Sequence, residues 1–331
     1  MGTQEPLNLP NRPETSHASF RRIEENNPWQ NQLVAGLEFF VLDYCYPIGF
    51  TYPQILRAAL MSIVITTQLE YLVPMADKPV YFASEGGAEA QLTISAQFTP
   101  RSVTIADARE LKPGPTLDQD GFTLIAHNSA VTDFYDDAQI KDIYQFEAAQ
   151  LVQQSLGATD AIVFDNTRRS DASTIRGEHN LREPSTVIHN DYTDASARQR
   201  LSDILGDDEA SIRSQRRFSI INVWRSIGGP VVTTPLAVCT AASLREEDLV
   251  ASERRAKDRI GELQLVTYNP EHRWYWYSSM ARHEALLIKT FDSSLDGRAR
   301  RAIHTAFTHP KAPVNAQARE SIETRVLAFF D

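Results

Sequence analysis

The chain has 331 residues, 42% of them hydrophobic and 23% charged, the composition of a globular protein long enough to bury a large core. A net charge of −10 argues against nucleic acid as the main partner, because that partner needs a basic surface. Two cysteines, Cys45 and Cys239, exclude a disulfide framework and a cysteine-rich zinc site, and point to a reducing, cytoplasmic location.

Residues 1–28 are polar, rich in Asn, Glu and Pro, and lack the apolar stretch of a signal peptide; a mobile arm is expected. Residues 29–75 read as mainly helical, with Leu60 to Thr67 the densest apolar part. Asp43, Arg57 and Glu70 interrupt this region, and no clean run approaches the ~18–20 residues of a spanning helix, so no stable membrane insertion is expected. From Pro79 to Thr104, alternation and β-branched residues predict strands at Val80–Phe82 and Leu92–Ile94. Asp120-Gly121 marks a turn. Asp137 to Leu156 carries apolar residues at helical spacing, among them Ile140, Tyr144, Leu151 and Val152, with Gly157 as its C-cap. Ala161–Phe164 reads as a short buried strand, and Ala195–Ala210 as a charged helix.

Beyond Thr186 short strands follow one another: Phe218–Trp224, Val231–Val232, Leu236–Cys239, Leu263–Tyr268, Trp274–Tyr277, Ala285–Phe291 and Ile322–Phe330. Their spacing by Gly, Pro and Asp turns predicts a mainly β protein with flanking helices, built as a sandwich or jelly roll.

The chemistry concentrates at His189-Asn190-Asp191. An H-x-D on a strand turns both side chains to one face, because the strand period is two. His189 follows the β-branched run Ser185–Ile188, and His304 lies in a second strand-like stretch, Ala302–Phe307. Two imidazoles and one carboxylate on one side of a metal are the usual set of a non-haem Fe(II) oxygenase. An H-x-D alone is weak, since 8 His and 43 acidic residues can produce one by chance; the combination with a second strand-borne His carries the reading. Arg319 and Ser321 then share a strand face, where a guanidinium and a hydroxyl suit an acidic cosubstrate. Arg325 falls on that same face and either helps to hold a carboxylate or makes a structural ion pair.

Other polar residues have two uses each. His272 rivals His304 as the distal ligand, but Asn269-Pro270 makes it a turn residue, with packing or substrate contact the better use. His309 reads as a solvated loop residue. Arg225 either meets an anionic substrate group or snorkels at a strand end. Trp274 to Tyr277 supply either an aromatic pocket or ordinary packing. Asp165, Arg168 and Arg169 line a pocket or form a surface ion pair, with the second preferred. There is no G-x-S-x-G elbow and no H-E-x-x-H, and Gly228-Gly229-Pro230 lacks the spacing of a phosphate loop.

The stretch Phe218–Val238 resembles the hallmark of the asaB-type hydroxylase/desaturase family, itself similar to fungal gibberellin desaturases and the small subunit of bacterial cephem 7α-methoxylation. Tyr268–Tyr275, Lys289–Ser293, His304–Phe307 and Arg319–Glu323 match its pattern in order; Ile303 stands where the family usually has Pro. The resemblance implies an Fe(II)- and 2-oxoglutarate-dependent oxygenase on a double-stranded β-helix, of the jelly-roll or cupin-like kind; the N-terminal helices expected before it come from the residues themselves, since the apolar region 30–75 departs from the family. It implies metal ligands at His189, Asp191 and His304 and a 2-oxoglutarate grip at Arg319 and Ser321, with Arg325 beside them and O2 as the second cosubstrate. Substrate contacts are expected at Arg225, His272 and Trp274. The implied substrate is a small natural product of fungal secondary metabolism, hydroxylated or desaturated. The chain then divides into the arm 1–28 and one oxygenase-like domain, 29–331, made of a helical and strand extension over 29–100 and a catalytic region over 101–331. Two other uses remain open, a catalytically silent partner of another oxygenase and a metal enzyme that works without 2-oxoglutarate; so does a homo- or heterodimer.

Overall fold

The computed structural model describes residues 64–257 and 259–331. The expected arm and most of the expected N-terminal helical region, residues 1–63, lie outside the described residues. Where that region enters the described part it is a strand: Val64–Leu72 forms β1. The run Val64-Ile65-Thr66-Thr67 is β-branched throughout, and such side chains pack well on a pleated surface but lose rotamer freedom in a helix.

After β1 come β2 (Val80–Phe82), β3 (Thr93–Ile94), β4 (Phe98–Asp107) and β5 (Phe122–Ala126). The helix expected from Asp137 is interrupted: α1 (Asp137–Gln139) passes through a π turn, Ile140–Tyr144, into α2 (Gln145–Leu156). Asp136 caps its start, and Gly157 closes it in the left-handed conformation at φ 66°. Then follow β6 (Asp160–Ser170), α3 (Ser173–His179) and β7 (His189–Asn190). The single helix expected over 195–210 is two, α4 (Asp194–Leu205) and α5 (Asp207–Arg213). Gly206, at φ 79° and ψ 158°, breaks the helical path between them. The remaining strands are β8 (Phe218–Ser226), β9 (Leu236–Cys239), β10 (Leu249–Ala256), β11 (Arg259–Val266), β12 (Trp274–Trp276), β13 (Glu284–Asp292), β14 (His304–Ala306) and β15 (Glu320–Phe329). The expected strand Val231–Val232 is reduced to one bridge, Val231 to Met280.

The strands form two sheets, ordered β1-β4-β12-β9-β14-β7-β11-β10-β2-β3 and β5-β13-β8-β15-β6. The smaller sheet is antiparallel throughout. On its outer side α2 buries Ala148, Leu151 and Val152 against Ile221, Val223, Leu287 and Val326. Strand alternation then turns Asn222, Trp224 and Ser226 of β8, and Ser321, Glu323 and Arg325 of β15, to the other face, with Arg319 just before β15 in the same phase. A second apolar cluster, Tyr192, Ala197, Leu201, Phe218, Ile220, Phe291 and Leu327, anchors α4 at one end of that inner face. The apolar core of the larger sheet, which includes Ile188, Cys239, Trp274, Ile303 and Phe307, sits on the side facing away from His189 and His304. This leaves a polar space between the two sheets. The expected mainly β, jelly-roll architecture is the one observed.

Candidate metal centre

His189 and His304 are direct cross-strand partners on β7 and β14. Such pairs bring side chains on one face together, and here the ring centroids are 4.5 Å apart. Asp191 follows β7 on the same face, with its Oδ1 3.6 Å from His189 Nε2. One ligand atom from each of His189, Asp191 and His304 lies within 4.8 Å of the others.

Every hydrogen bond around this trio leaves a lone pair turned inward. His189 Nδ1 lies 2.7 Å from the Val187 carbonyl, which fixes that nitrogen as the N–H donor and exposes Nε2 as a base. His304 Nδ1 faces the Ala302 carbonyl at 3.4 Å, and its buried Nε2 has no hydrogen-bond partner. A buried, unpartnered imidazole nitrogen is costly unless something else occupies the position. Asp191 Oδ2 accepts from Asn222 Nδ2 at 2.7 Å and from Arg325 Nε at 3.2 Å, both reaching across from the smaller sheet. That leaves Oδ1 for the trio.

The electrostatics favour the same protonation states. Burial, reinforced by the neighbouring His304, lowers His189 to about 3, so it is neutral at pH 7. Burial by itself would raise the Asp191 carboxyl. Arg325, the two histidines and the Asn222 hydrogen bond outweigh it and hold the group well below the usual carboxylate range. A neutral imidazole and an ionised carboxylate are the forms that ligate a metal. Two imidazoles and a carboxylate on one side of an ion fit Fe(II), with coordination positions left for a chelating cosubstrate and O2.

Arg319 and Ser321 stand further along the inner face. Arg319 Nε donates to Ser321 Oγ at 3.1 Å and Nη1 to the Thr234 carbonyl at 2.9 Å, while its guanidinium lies 5.0 Å from the Trp224 ring centre. Asp171 accepts from the Arg319 backbone N–H at 2.8 Å and fixes the start of β15. Burial, with Arg169 nearby, lowers Arg319 to about 9, still a cation at neutral pH. Arg325 does not join this pair. Its guanidinium is held at 2.5 Å by Asp165 and at 2.5 Å by Glu323, besides Asp191. It therefore supports the metal-side carboxylate, which is the ion-pair use.

The three expected substrate contacts lie elsewhere. Arg225 points to the helical side of the smaller sheet, 2.5 Å from His127 Nδ1 and over the Tyr144 ring. Its neighbour Trp224 has the inward face, so the expectation was off by one step of strand parity. His272 is buried and bonded to Asp248 and to the Tyr71 hydroxyl, each at 3.1 Å. Trp274 donates to the same hydroxyl at 2.8 Å. Both belong to a closed network on the far side of the larger sheet, whereas Tyr275, paired with Val238, shares the face of His304. Arg168 pairs with Asp137, as expected, but Asp165 is drawn inward to Arg325. Asn222 was not singled out from the sequence; an amide in the middle of the apolar run Phe218–Trp224 was the available signal.

Beside Asp191 opens a cavity of about 1130 Å³, lined by Asp191, Tyr192, Phe164, Arg182, Arg254 and Arg325 among others. Its size suits a small organic molecule. Among the described residues no helix is long and apolar enough to cross a membrane.

The chain is similar to known proteins over most of its length. A family model described as "Oxidoreductase/YMDC permease-like domain" matches residues 69–329. The hydroxylase/desaturase efuI of Hormonema carpetanum is 28% identical, over 83% of this chain and 98% of its own. The hydroxylase/desaturase asaB of Aspergillus flavus is 38% identical over 137 residues, covering 37% of this chain and 60% of its own. Among solved structures, the iron and alpha-ketoglutarate-dependent endoperoxidase NvfI superposes with a TM-score of 0.71 at 25% identity, covering 81% of this chain and 99% of that one. The chain belongs to this oxidoreductase family, that of the asaB-type hydroxylase/desaturases, and is an oxygenase dependent on Fe(II), 2-oxoglutarate and O2.

Proposed function

We propose that His189, Asp191 and His304 hold the Fe(II), that Arg319 and Ser321 hold the distal carboxylate of 2-oxoglutarate, and that the enzyme hydroxylates or desaturates a small natural product of fungal secondary metabolism. The observation that carries the ligand assignment is the buried, unpartnered His304 Nε2, on a residue that brings a ligand atom within 4.8 Å of one from each of the other two. The substrate class rests on the relatives named hydroxylase/desaturase and on the cavity beside Asp191.

Bound Fe(II), with 2-oxoglutarate and O2, supplies an oxidant able to take hydrogen from an unactivated C–H bond, with succinate and CO2 as coproducts. The protein contributes position and environment. The Val187 and Ala302 carbonyls orient the two imidazoles. Asn222 and Arg325 hold one oxygen of Asp191, which would leave the other for the iron. Arg319, itself buried and held by Ser321 and Thr234, would present a cation to a carboxylate away from water, where the attraction is strong. A substrate in the cavity would lie beside Asp191, on the side of the would-be metal ligands.

Metal content after anaerobic reconstitution tests the ligand set. One iron per chain is expected for the wild type and well below one for His304→Ala, with 2-oxoglutarate-dependent succinate formation lost in the same variant. Full iron occupancy in His304→Ala would remove this residue from the ligand set.

A further inference from the structure

Among the guanidinium groups that line the cavity, Arg182 and Arg254 take no part in the reaction chemistry above and meet beside Asp191. Arg182 follows α3 and bridges to Arg169 of β6, beside the smaller sheet; Arg254 lies on β10 in the larger sheet, paired with Tyr81 of β2. They approach the same point from the two sheets. Both line the large cavity, and both also line a small recess of about 20 Å³ whose wall includes His189, Asp191, Arg169 and Arg325. A group held there sits beside the proposed iron.

Four neighbouring cations have partners, while Arg259, on the cavity wall but outside the recess, has no hydrogen bond or ion pair among the described residues. Arg325 binds three carboxylates, Arg168 binds Asp137, Arg200 pairs with Asp203, and Arg169 donates to the Glu183 carbonyl at 2.7 Å. Arg182 and Arg254 are part-buried, and among the described residues neither side chain has a hydrogen bond or an ion pair. The recess does contain one further carboxylate, Glu183, but that accepts from Ser84 Oγ at 2.8 Å. Two part-buried guanidinium groups side by side, without a counter-ion, are unfavourable by themselves and become favourable when an anion spans them. Burial, then Arg169 and Arg254, lowers Arg182 below the ordinary guanidinium range, and burial, then Arg325, does the same to Arg254. Asp165 and Asp191 lie close enough to act on Arg182 and Arg254 respectively, which limits the charge the site can take and favours a monoanion.

We propose that Arg182 and Arg254 together bind a carboxylate of the organic substrate, which makes the enzyme selective for acids and fixes the substrate's orientation beside the iron. This deepens the functional reading above and rests on it for the word substrate; the binding site itself can be tested without turnover.

The test is calorimetric titration of the full-length protein with 1-naphthoate and, as the uncharged match, 1-naphthamide. It is run anaerobically with Fe(II) and saturating 2-oxoglutarate, and again without metal or cosubstrate. Naphthoate is expected to bind at least about tenfold more tightly than the amide. Arg182→Gln and Arg254→Gln should each weaken naphthoate by about tenfold and leave the amide unchanged. Each variant should retain wild-type affinity for 2-oxoglutarate, which also shows that it folds. Equal binding of acid and amide, or naphthoate affinity unchanged in both variants, overturns the proposal. So does a loss of 2-oxoglutarate affinity in either variant, which would give these arginines to the cosubstrate. Absence of iron and 2-oxoglutarate binding in the wild type would instead defeat the oxygenase ligand assignment, while the metal-free titration still decides the carboxylate site.

Discussion

Replacing Arg325 with Met removes the charge that ties the two sheets together at the metal side. The guanidinium contacts Asp191 at 3.2 Å, Asp165 at 2.5 Å and Glu323 at 2.5 Å. The Asp191 and Glu323 side chains are only 9% and 8% exposed, whereas Asp165 is 41% exposed and its share is screened by solvent. Breaking a buried ion pair by deleting one partner costs about 3–5 kcal/mol, because the other charge stays buried. For a chain of this size that is a fall in melting temperature of about 6–20 °C. Two further results separate this cause from simple loss of packing. Adding Fe(II) anaerobically should narrow the gap between variant and wild type, since a metal at Asp191 restores a positive partner. Adding Glu323→Gln to the Arg325→Met background should recover about 1–3 kcal/mol, because a buried unpaired charge is removed. Thermal unfolding followed by calorimetry, with and without metal, measures all of these. An Arg325→Met protein within about 1 kcal/mol of wild type would refute the reasoning, since a cost that small is typical of exposed pairs.

Three other outcomes follow from the same geometry. Arg319→Lys keeps the charge but loses the planar fork held by Ser321 and Thr234, and should raise the half-saturating 2-oxoglutarate concentration by about tenfold or more without changing iron content. Asn222→Leu removes the 2.7 Å bond to Asp191 and should weaken Fe(II) binding by about 10–100-fold, read by competition with a chelator. In the metal-free protein His189 is held at about 3, below its ordinary range, so the unfolded chain binds more protons as the pH falls. The stability this neutral imidazole contributes is complete above about pH 6.5 and is lost progressively toward pH 3. Melting temperature should therefore fall across that window, and more gently in His189→Gln.

The inward pair at the metal side was legible because H-x-D and R-x-S need only the strand period, and the period is local. Face assignment across neighbouring strands was not. Nothing in Trp224-Arg225 says which side chain faces inward until α2 covers Ile221 and Val223. The choice between Trp274 and Tyr275 likewise waited on the pairing of Tyr275 with Val238. Val64–Leu72 was misread because its density of apolar residues outweighed its β-branching, which was the better guide. Arg182 and Arg254 were out of reach of sequence reasoning altogether, since their proximity depends on a loop after α3 meeting β10 across both sheets. The helix from Asp137 to Leu156 was read correctly in extent, while its π turn left no trace in the apolar spacing.

The most direct measurement is anaerobic addition of Fe(II) and 2-oxoglutarate to the purified protein, with the weak visible charge-transfer band of the chelate as readout. The ligand assignment predicts a band in the wild type that disappears in His189→Ala and shifts to higher 2-oxoglutarate concentrations in Arg319→Ala. A band of full intensity in His189→Ala, or none in a folded wild-type protein with both components in excess, would contradict it.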